Sequence, residues 1–460
     1  MDTAKPTLIQ KFSNLFVKDR GFYKTILLLA LPIVLQNMIT MGVNIMDTVM
    51  LGSYGEIQLS GSSLGNDFIN IFHILCMGMG AGASVLTAQF WGAGDYASIR
   101  KTITIMMRIC LALVALFTAV TVCFPRQILS IFTSDTQVIE KGATYLLWSL
   151  AQYFLLGISL TLTLILRSLR KVMIPLITSI VSFFVNIGCN YIFIFGKLGF
   201  PEMQIAGAAL GTVCARLVET AIIGGYFLFM EKDIGWKITD LFRPCKDIAG
   251  RYLKYSFPVI LSDGMLALGN SMVSIIIGHI STEFVAANAI IATVVRLSTV
   301  FTQGLGQASS TITGNTLGRG EIEKTYRQGV TMVTLSVFIG IAAGGIILLL
   351  APWIISMYNI TDLTRAVAEK LMYAVSLMVV FQSMQSVLTK GILRGGGDTR
   401  FCMLVDAGFL WIASVPLGAL CGLVWHADPF IIYIALKIDW AIKSLVCLGR
   451  VHSRKWMKRV

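Results

Sequence analysis

The sequence predicts an all-α membrane protein of twelve transmembrane helices, arranged as two six-helix bundles related by a parallel pseudo-two-fold repeat. Three observations carry this: apolar residues gather in blocks of about 20, basic residues fall on one side of those blocks, and landmarks of the first half recur in the second. Of 460 residues, 56% are hydrophobic and 13% charged, against ~25% charged in soluble domains. Such a chain cannot clothe a soluble surface. In lipid only helices and closed barrels satisfy every backbone polar group. The apolar blocks are continuous rather than alternating, which selects helices.

In chain order, helices are expected at about 24–51, 67–90, 102–124, 144–166, 173–195 and 205–230, then 253–278, 285–315, 328–350, 366–391, 401–424 and 429–449. The first 23 residues hold no apolar core of signal-peptide length. There, Leu8, Ile9, Phe12, Leu15 and Phe16 recur at helical spacing with Lys11 and Lys18 between them. That pattern reads either as a short helix on the cytoplasmic membrane surface or as a frayed tail. The longest polar stretch, 231–252, is the expected linker between an amino-terminal lobe, 1–230, and a carboxy-terminal lobe, 253–460.

Basic residues orient the chain. The two ends and the even-numbered loops hold 27 Lys and Arg, whereas the opposite loops hold Arg126, Lys141, Lys197, Arg365 and Lys370. The positive-inside rule therefore puts both termini in the cytoplasm of a cell membrane, and the loop after the first helix, with Ser62, outside. Topology also accounts for the net charge of +13, so a nucleic-acid partner is not expected. A shift of 226 superposes Pro32 on Pro258, Asn44 on Asn270, Gly78 and Gly80 on Gly304 and Gly306, and Gly92 and Gly94 on Gly318 and Gly320. One residue further on, ILR at 165–167 meets ILR at 392–394. Six helices per half make the repeat parallel, and transporters of that kind bind substrate between halves near the midplane.

Enzyme chemistry has no foothold. There is no GxxxxGK(S/T) loop and no HExxH. Nine scattered cysteines form no C-x-x-C, and the four histidines make no ligand pair. No cofactor is expected beyond a coupling ion.

Four segments in order, ALPIVLQNMITMGVNIMDTVMLG (30–52), GAGASVLTAQFWGAGDYASIRK (80–101), NIGCNYIFIFGKLGFPEMQIAGAALGT (186–212) and ILRGGGDTR (392–400), resemble the multidrug and toxic compound extrusion (MATE) family over essentially the whole chain. The resemblance implies an antiporter that exports cationic or amphipathic organic compounds against sodium ions or protons. It implies two six-helix bundles around a central cleft; the expected partners are a small organic substrate and the lipid bilayer, with the chain acting as a monomer. It also implies an ion-coupling set of Asp47, with sodium as a candidate ligand, beside Asn186, Asn190 and Thr212, and a bend at Pro32, with Pro258 its repeat mate. Asn190 stands where well-known members carry an acid, and Val43 where some carry a Tyr, giving a less charged site.

Charges inside a membrane span are costly and need a reason. Asp47 lies ~35 Å along its helix at 1.5 Å per residue, a depth that also suits an acid at the outer interface. Asn186 and Asn190 share a helix face, for coordination or for gluing helices together. Asp263, ~15 Å along the seventh helix, has no base within one turn and is a second coupling candidate. Asp406 is shallower and expected to reach the cytoplasmic face. Arg296 is the expected counter-ion of either acid, or one half of a structural pair. Asn37, Asn44, Asn270, Arg296, Gln303, Gln307 and Asp406 are the candidate cleft residues. Arg216 with Glu219, and Asp439 with Lys443, read as local ion pairs. The closest rival function is a flippase for lipid or lipid-linked oligosaccharide. Bases expected inside the spans are few (Arg108, Arg216, Arg296, Lys437 and Lys443), which disfavours an anionic cargo.

Overall fold

The computed structural model describes residues 16–358 and 360–460. Residues 1–15 of the expected amphipathic segment lie outside the described residues. Eleven described helices are long and apolar enough to cross a membrane. They are α1 (Arg20–Gly52), α2 (Glu56–Ala93), α3 (Tyr96–Cys123), α4 (Leu150–Ser168), α5 (Met173–Phe195), α6 (Gln204–Met230), α7 (Lys246–Ile280), α8 (Thr282–Gly318), α9 (Ile322–Ser356), α10 (Asp362–Leu393) and α11 (Thr399–Val424). The described residues contain no strand.

The twelfth expected span is helical but broken at Lys437 into α12 (Pro429–Leu436) and α13 (Ile438–His452). The cause is local. The Asp439 backbone N–H donates to Ser414 Oγ at 3.0 Å, and Ser414 Oγ donates in turn to Asp439 Oδ1 at 2.7 Å. The helical i→i−4 bond at this point is thus exchanged for one to α11. Lys443 then meets Asp439 at 2.8 Å, with both side chains buried. The fourth expected helix, 144–166, is likewise broken, at Ser149: its first residues belong to a separate helix, Thr136–Trp148, and the rest to α4.

The helices form two compact units, Leu35–Ile260 (the amino unit) and Met1–Val34 with Leu261–Val460 (the carboxy unit). The division falls inside α1 and α7, two residues beyond Pro32 and Pro258. Both prolines sit within continuous helices, where each removes a backbone donor. Glycines fix which arm packs where. A Cβ on Gly78 would lie 2.8 Å from the Ile260 Cα, and one on Gly82 would strike Ser256, so α2 receives the start of α7. At the repeat position a Cβ on Gly304 would strike Val34 and lie 3.2 Å from the Ala30 carbonyl oxygen, so α8 receives the start of α1. Within the carboxy unit, Gly340 and Gly344 of α9 approach Val380 and Ser376 of α10 equally closely. Small residues give such backbone-to-backbone packing in membranes, where helices gain no hydrophobic drive against lipid.

Each unit also has a clasp where its last span returns to its loops. Lys171 pairs with the buried Glu231 and, at 3.0 Å, with Asp233. Burial works to lower the Lys171 ammonium, but these carboxylates outweigh it and hold it above the ordinary lysine value. In the carboxy unit Asp398, fully buried, accepts from Arg450 Nε at 2.7 Å and from Lys458 Nζ at 2.6 Å. Lys171–Glu231 and Asp398–Lys458 are each 60 residues apart, the same contact with its charges reversed. Trp456 seals the second clasp, its ring buried against Gly396.

Candidate functional site

Two of the polar clusters among the described residues hold the candidate coupling acids, one in each unit. In the amino unit, α5 places Asn186 and Asn190 one turn apart on a buried face. Asn190 Nδ2 donates to Asp47 Oδ1 of α1 at 2.5 Å and to Asn186 Oδ1 at 3.2 Å. Gly211 of α6 makes room for this: a Cβ there would overlap Asn190 Oδ1 and lie 3.0 Å from its Cγ. Asn190 Oδ1 and Asn186 Nδ2 are buried without a hydrogen-bond partner among the described residues. Asp47 has no salt bridge there either. Arg216 lies within electrostatic range of Asp47 and His73, but its guanidinium is bonded to Glu219 at 2.6 Å. Chemically this is a carboxylate held by an amide N–H, with further amide oxygens within the same cluster and no salt bridge to it among the described residues. Such oxygen sets suit a hard cation, and the carboxylate suits a proton. Thr212 is not part of the bonded set; its hydroxyl donates to the Ala208 carbonyl one turn back at 3.0 Å.

The carboxy unit differs. Arg394 Nη2 donates to Asp263 Oδ1 at 2.7 Å and Nη1 to Oδ2 at 3.4 Å. The same Nη2 lies 3.7 Å from Asp406 Oδ2. Gln385 Nε2 donates to Asp406 Oδ1 at 3.2 Å and Ser262 Oγ to Oδ2 at 3.4 Å. Two expectations are corrected here. The counter-ion of these acids is Arg394; Arg296 is exposed on α8 and makes no salt bridge among the described residues. Asp406 does not reach for an aqueous face but is fully buried, because α7 and α10 supply its donors and remove the need for water. The ILR repeat signalled Arg394, but the residue was counted as a loop charge. Its mate Arg167 is buried as well, so the inventory of interior bases was too short by these two.

The other candidates are dispersed. Asn44 and Asn270 are exposed, each with its carbonyl accepting a hydroxyl four residues on, from Thr48 at 2.8 Å and Ser274 at 3.1 Å. Asn37 is half-buried with its amide nitrogen unpartnered, Gln303 is exposed and Gln307 half-buried. Ser62, expected in an outer loop, is buried inside α2.

Eleven described helices long and apolar enough to cross a membrane, set in two units that each hold a polar cluster, define a multi-pass helical membrane protein. The MatE family model matches the chain twice, over residues 32–192 and 249–420, once in each half. The chain belongs to this family, the one the sequence segments resemble. It is 26% identical over 454 residues to the "Probable multidrug resistance protein NorM" of Thermotoga maritima, covering 97% of this chain and 96% of the relative. Its fold matches an outward-facing multidrug resistance MATE family transporter of the MOP superfamily with a TM-score of 0.85 at 17% identity, over 94% of this chain and 96% of that one. It also matches a MOP superfamily transporter from Pyrococcus furiosus, TM-score 0.84 at 18% identity, over 98% of this chain and 100% of that one; that structure's description states that a reversed pocket polarity suggests a different function.

Proposed function

We propose that the protein is a multidrug efflux antiporter that exports organic cations and amphipathic compounds in exchange for sodium ions or protons, with Asp47 as the exchanging group. The observation that carries this reading is the Asp47–Asn190–Asn186 cluster, a half-buried carboxylate bonded to a buried amide, with no salt bridge to it among the described residues. The named multidrug resistance relatives supply the substrate class. An ion or proton on Asp47 favours one packing of the helices, and organic substrate favours the other. Exchange requires that each ligand weaken the other's binding. The protein works as a monomer in the cell membrane with both termini cytoplasmic.

The test is purified protein in liposomes loaded with a cationic dye, under separate sodium and proton gradients. Efflux driven by either gradient supports the reading; efflux indifferent to both refutes it. A second reading, a flippase for lipid or lipid-linked oligosaccharide, is favoured by the two buried guanidinium groups, Arg167 and Arg394, which raise the number of bases inside the spans. It predicts movement of an anionic lipid probe instead of the dye.

A further inference from the structure

The two units make the same arginine contact at the same place in the repeat, but onto different partners. Arg167, in the last turn of α4, donates from Nη2 to Gln36 Oε1 at 2.6 Å. Arg394, just beyond α10, donates from Nη2 to Asp263 Oδ1 at 2.7 Å. Each pair is 131 residues apart. Both members move together from one half to the other, so Gln36 and Asp263 are structural mates that differ by a charge.

In the carboxy-unit cluster both oxygens of Asp263 and of Asp406 are already engaged. Both oxygens of Asp263 face the guanidinium fork. Asp406 Oδ1 takes Gln385, and Asp406 Oδ2 takes Ser262 with Arg394 close by. Arg394 is buried and stays charged in any accessible pH range. The exposed Lys390 adds a second positive charge within electrostatic range of Asp263. A forked guanidinium–carboxylate pair is among the strongest hydrogen-bonded arrangements available. A cation arriving at Asp263 would have to displace a covalently tethered one from low-dielectric surroundings. Asp47 faces no such competitor: its bonded partner is an amide, and the nearest guanidinium is held by Glu219.

We propose that Arg394 is a tethered counter-cation that removes Asp263 and Asp406 from ion exchange, leaving Asp47 in the amino unit as the protein's one exchange site. Arg394 is thus a positioning residue, occupying in the carboxy unit the place a driving ion would take. This rests on the antiport reading for its meaning in transport, though its chemistry is testable without transport.

The experiment uses the full-length protein purified in detergent, with its melting temperature followed as sodium is added and, separately, as pH is lowered. Wild type should show a rise of about 2–4 °C on cation binding, and Asp47→Asn should abolish it. In the Asp47→Asn background, Arg394→Gln should restore a response, because Asp263 then loses its bonded counter-charge and keeps only the exposed, unbonded Lys390 nearby. Arg394→Lys should not restore it, and adding Asp263→Asn to Arg394→Gln should remove it again. The proposal is overturned if Asp47→Asn alone keeps a response that Asp263→Asn removes, or if Arg394→Gln creates none while the protein remains folded by size-exclusion chromatography. Dye efflux from liposomes separates the two ideas. Wild-type protein that moves dye under neither gradient sinks the antiport reading while the melting series still decides the role of Arg394. Folded Asp263→Asn/Arg394→Gln that binds dye but loses gradient-driven efflux sinks the proposal while antiport stands.

Discussion

Gly211→Ala perturbs the proposed coupling cluster without altering a single polar atom. The new methyl would overlap Asn190 Oδ1 and sit 3.0 Å from both the Asn190 Cγ and its backbone nitrogen. Asn190 cannot swing away freely, because its Nδ2 is held between Asp47 Oδ1 at 2.5 Å and Asn186 Oδ1 at 3.2 Å. Overpacking of this kind costs about 1–3 kcal/mol, and a lost hydrogen bond to a charged group about 1.5–3 kcal/mol. If the second loss falls on the ion-binding geometry, cation affinity drops roughly 10- to 150-fold. The assay is dye efflux from liposomes as a function of driving-cation concentration, with dye binding measured in parallel. The expected result is a half-maximal cation concentration raised at least about tenfold, with dye affinity little changed. Thr212→Val, one residue away, is the control, since its hydroxyl bonds only to its own helix; it should stay within about 0.5 kcal/mol of wild type. Folded Gly211→Ala with wild-type cation dependence would refute the view that Asn190 holds Asp47 for exchange.

Asp398→Asn removes the buried acceptor of Arg450 and Lys458. Because Lys458 is nearly half exposed, most of the effect comes through Arg450, and a loss of about 2–3 kcal/mol is expected from chemical denaturation in detergent. Lys443→Met strands the buried Asp439 carboxylate and should cost about 3–5 kcal/mol, whereas removing both charges together should cost far less. With exposed Cys123 replaced, Ser53→Cys, on the exposed turn after α1, should react with an impermeant thiol reagent applied outside intact cells. Ser62→Cys should not react, because it is buried in α2; labelling of Ser53→Cys only after lysis would invert the topology.

Hydropathy located most spans to within a few residues, and α5 at 173–195 without error, because a run of large apolar residues bounded by Lys171 and Gly196 leaves little choice. It failed where helix is made by packing small residues. The start of α2, residues 56–66, reads as a polar loop, yet a Cβ on Gly61 would lie 3.0 Å from the Gly142 nitrogen and one on Gly65 2.7 Å from Tyr145 Cδ1, so the segment is helical through close contact. The break at Lys437 depends on Ser414, on another helix, and is invisible in local sequence. In the candidate site, Asp47 with Asn190 was legible because one-turn spacing and family resemblance point to the same residues. Arg394 was misread because a base near a helix end looks like a topology signal; burial alone separates the two roles. The reversed clasps needed coordinates, since neither 60-residue separation has a local signature.

Gradient-driven dye efflux by Asp47→Asn in liposomes bears most directly on the assignment of exchange to Asp47. The substitution keeps the size and most hydrogen bonding of the side chain while removing its charge. Dye binding to the purified variant should persist, since the apolar and aromatic side chains are unchanged, and efflux under both sodium and proton gradients should fall to the rate of empty liposomes. Efflux at the wild-type rate under either gradient, from Asp47→Asn protein that is folded and correctly inserted, would contradict the assignment.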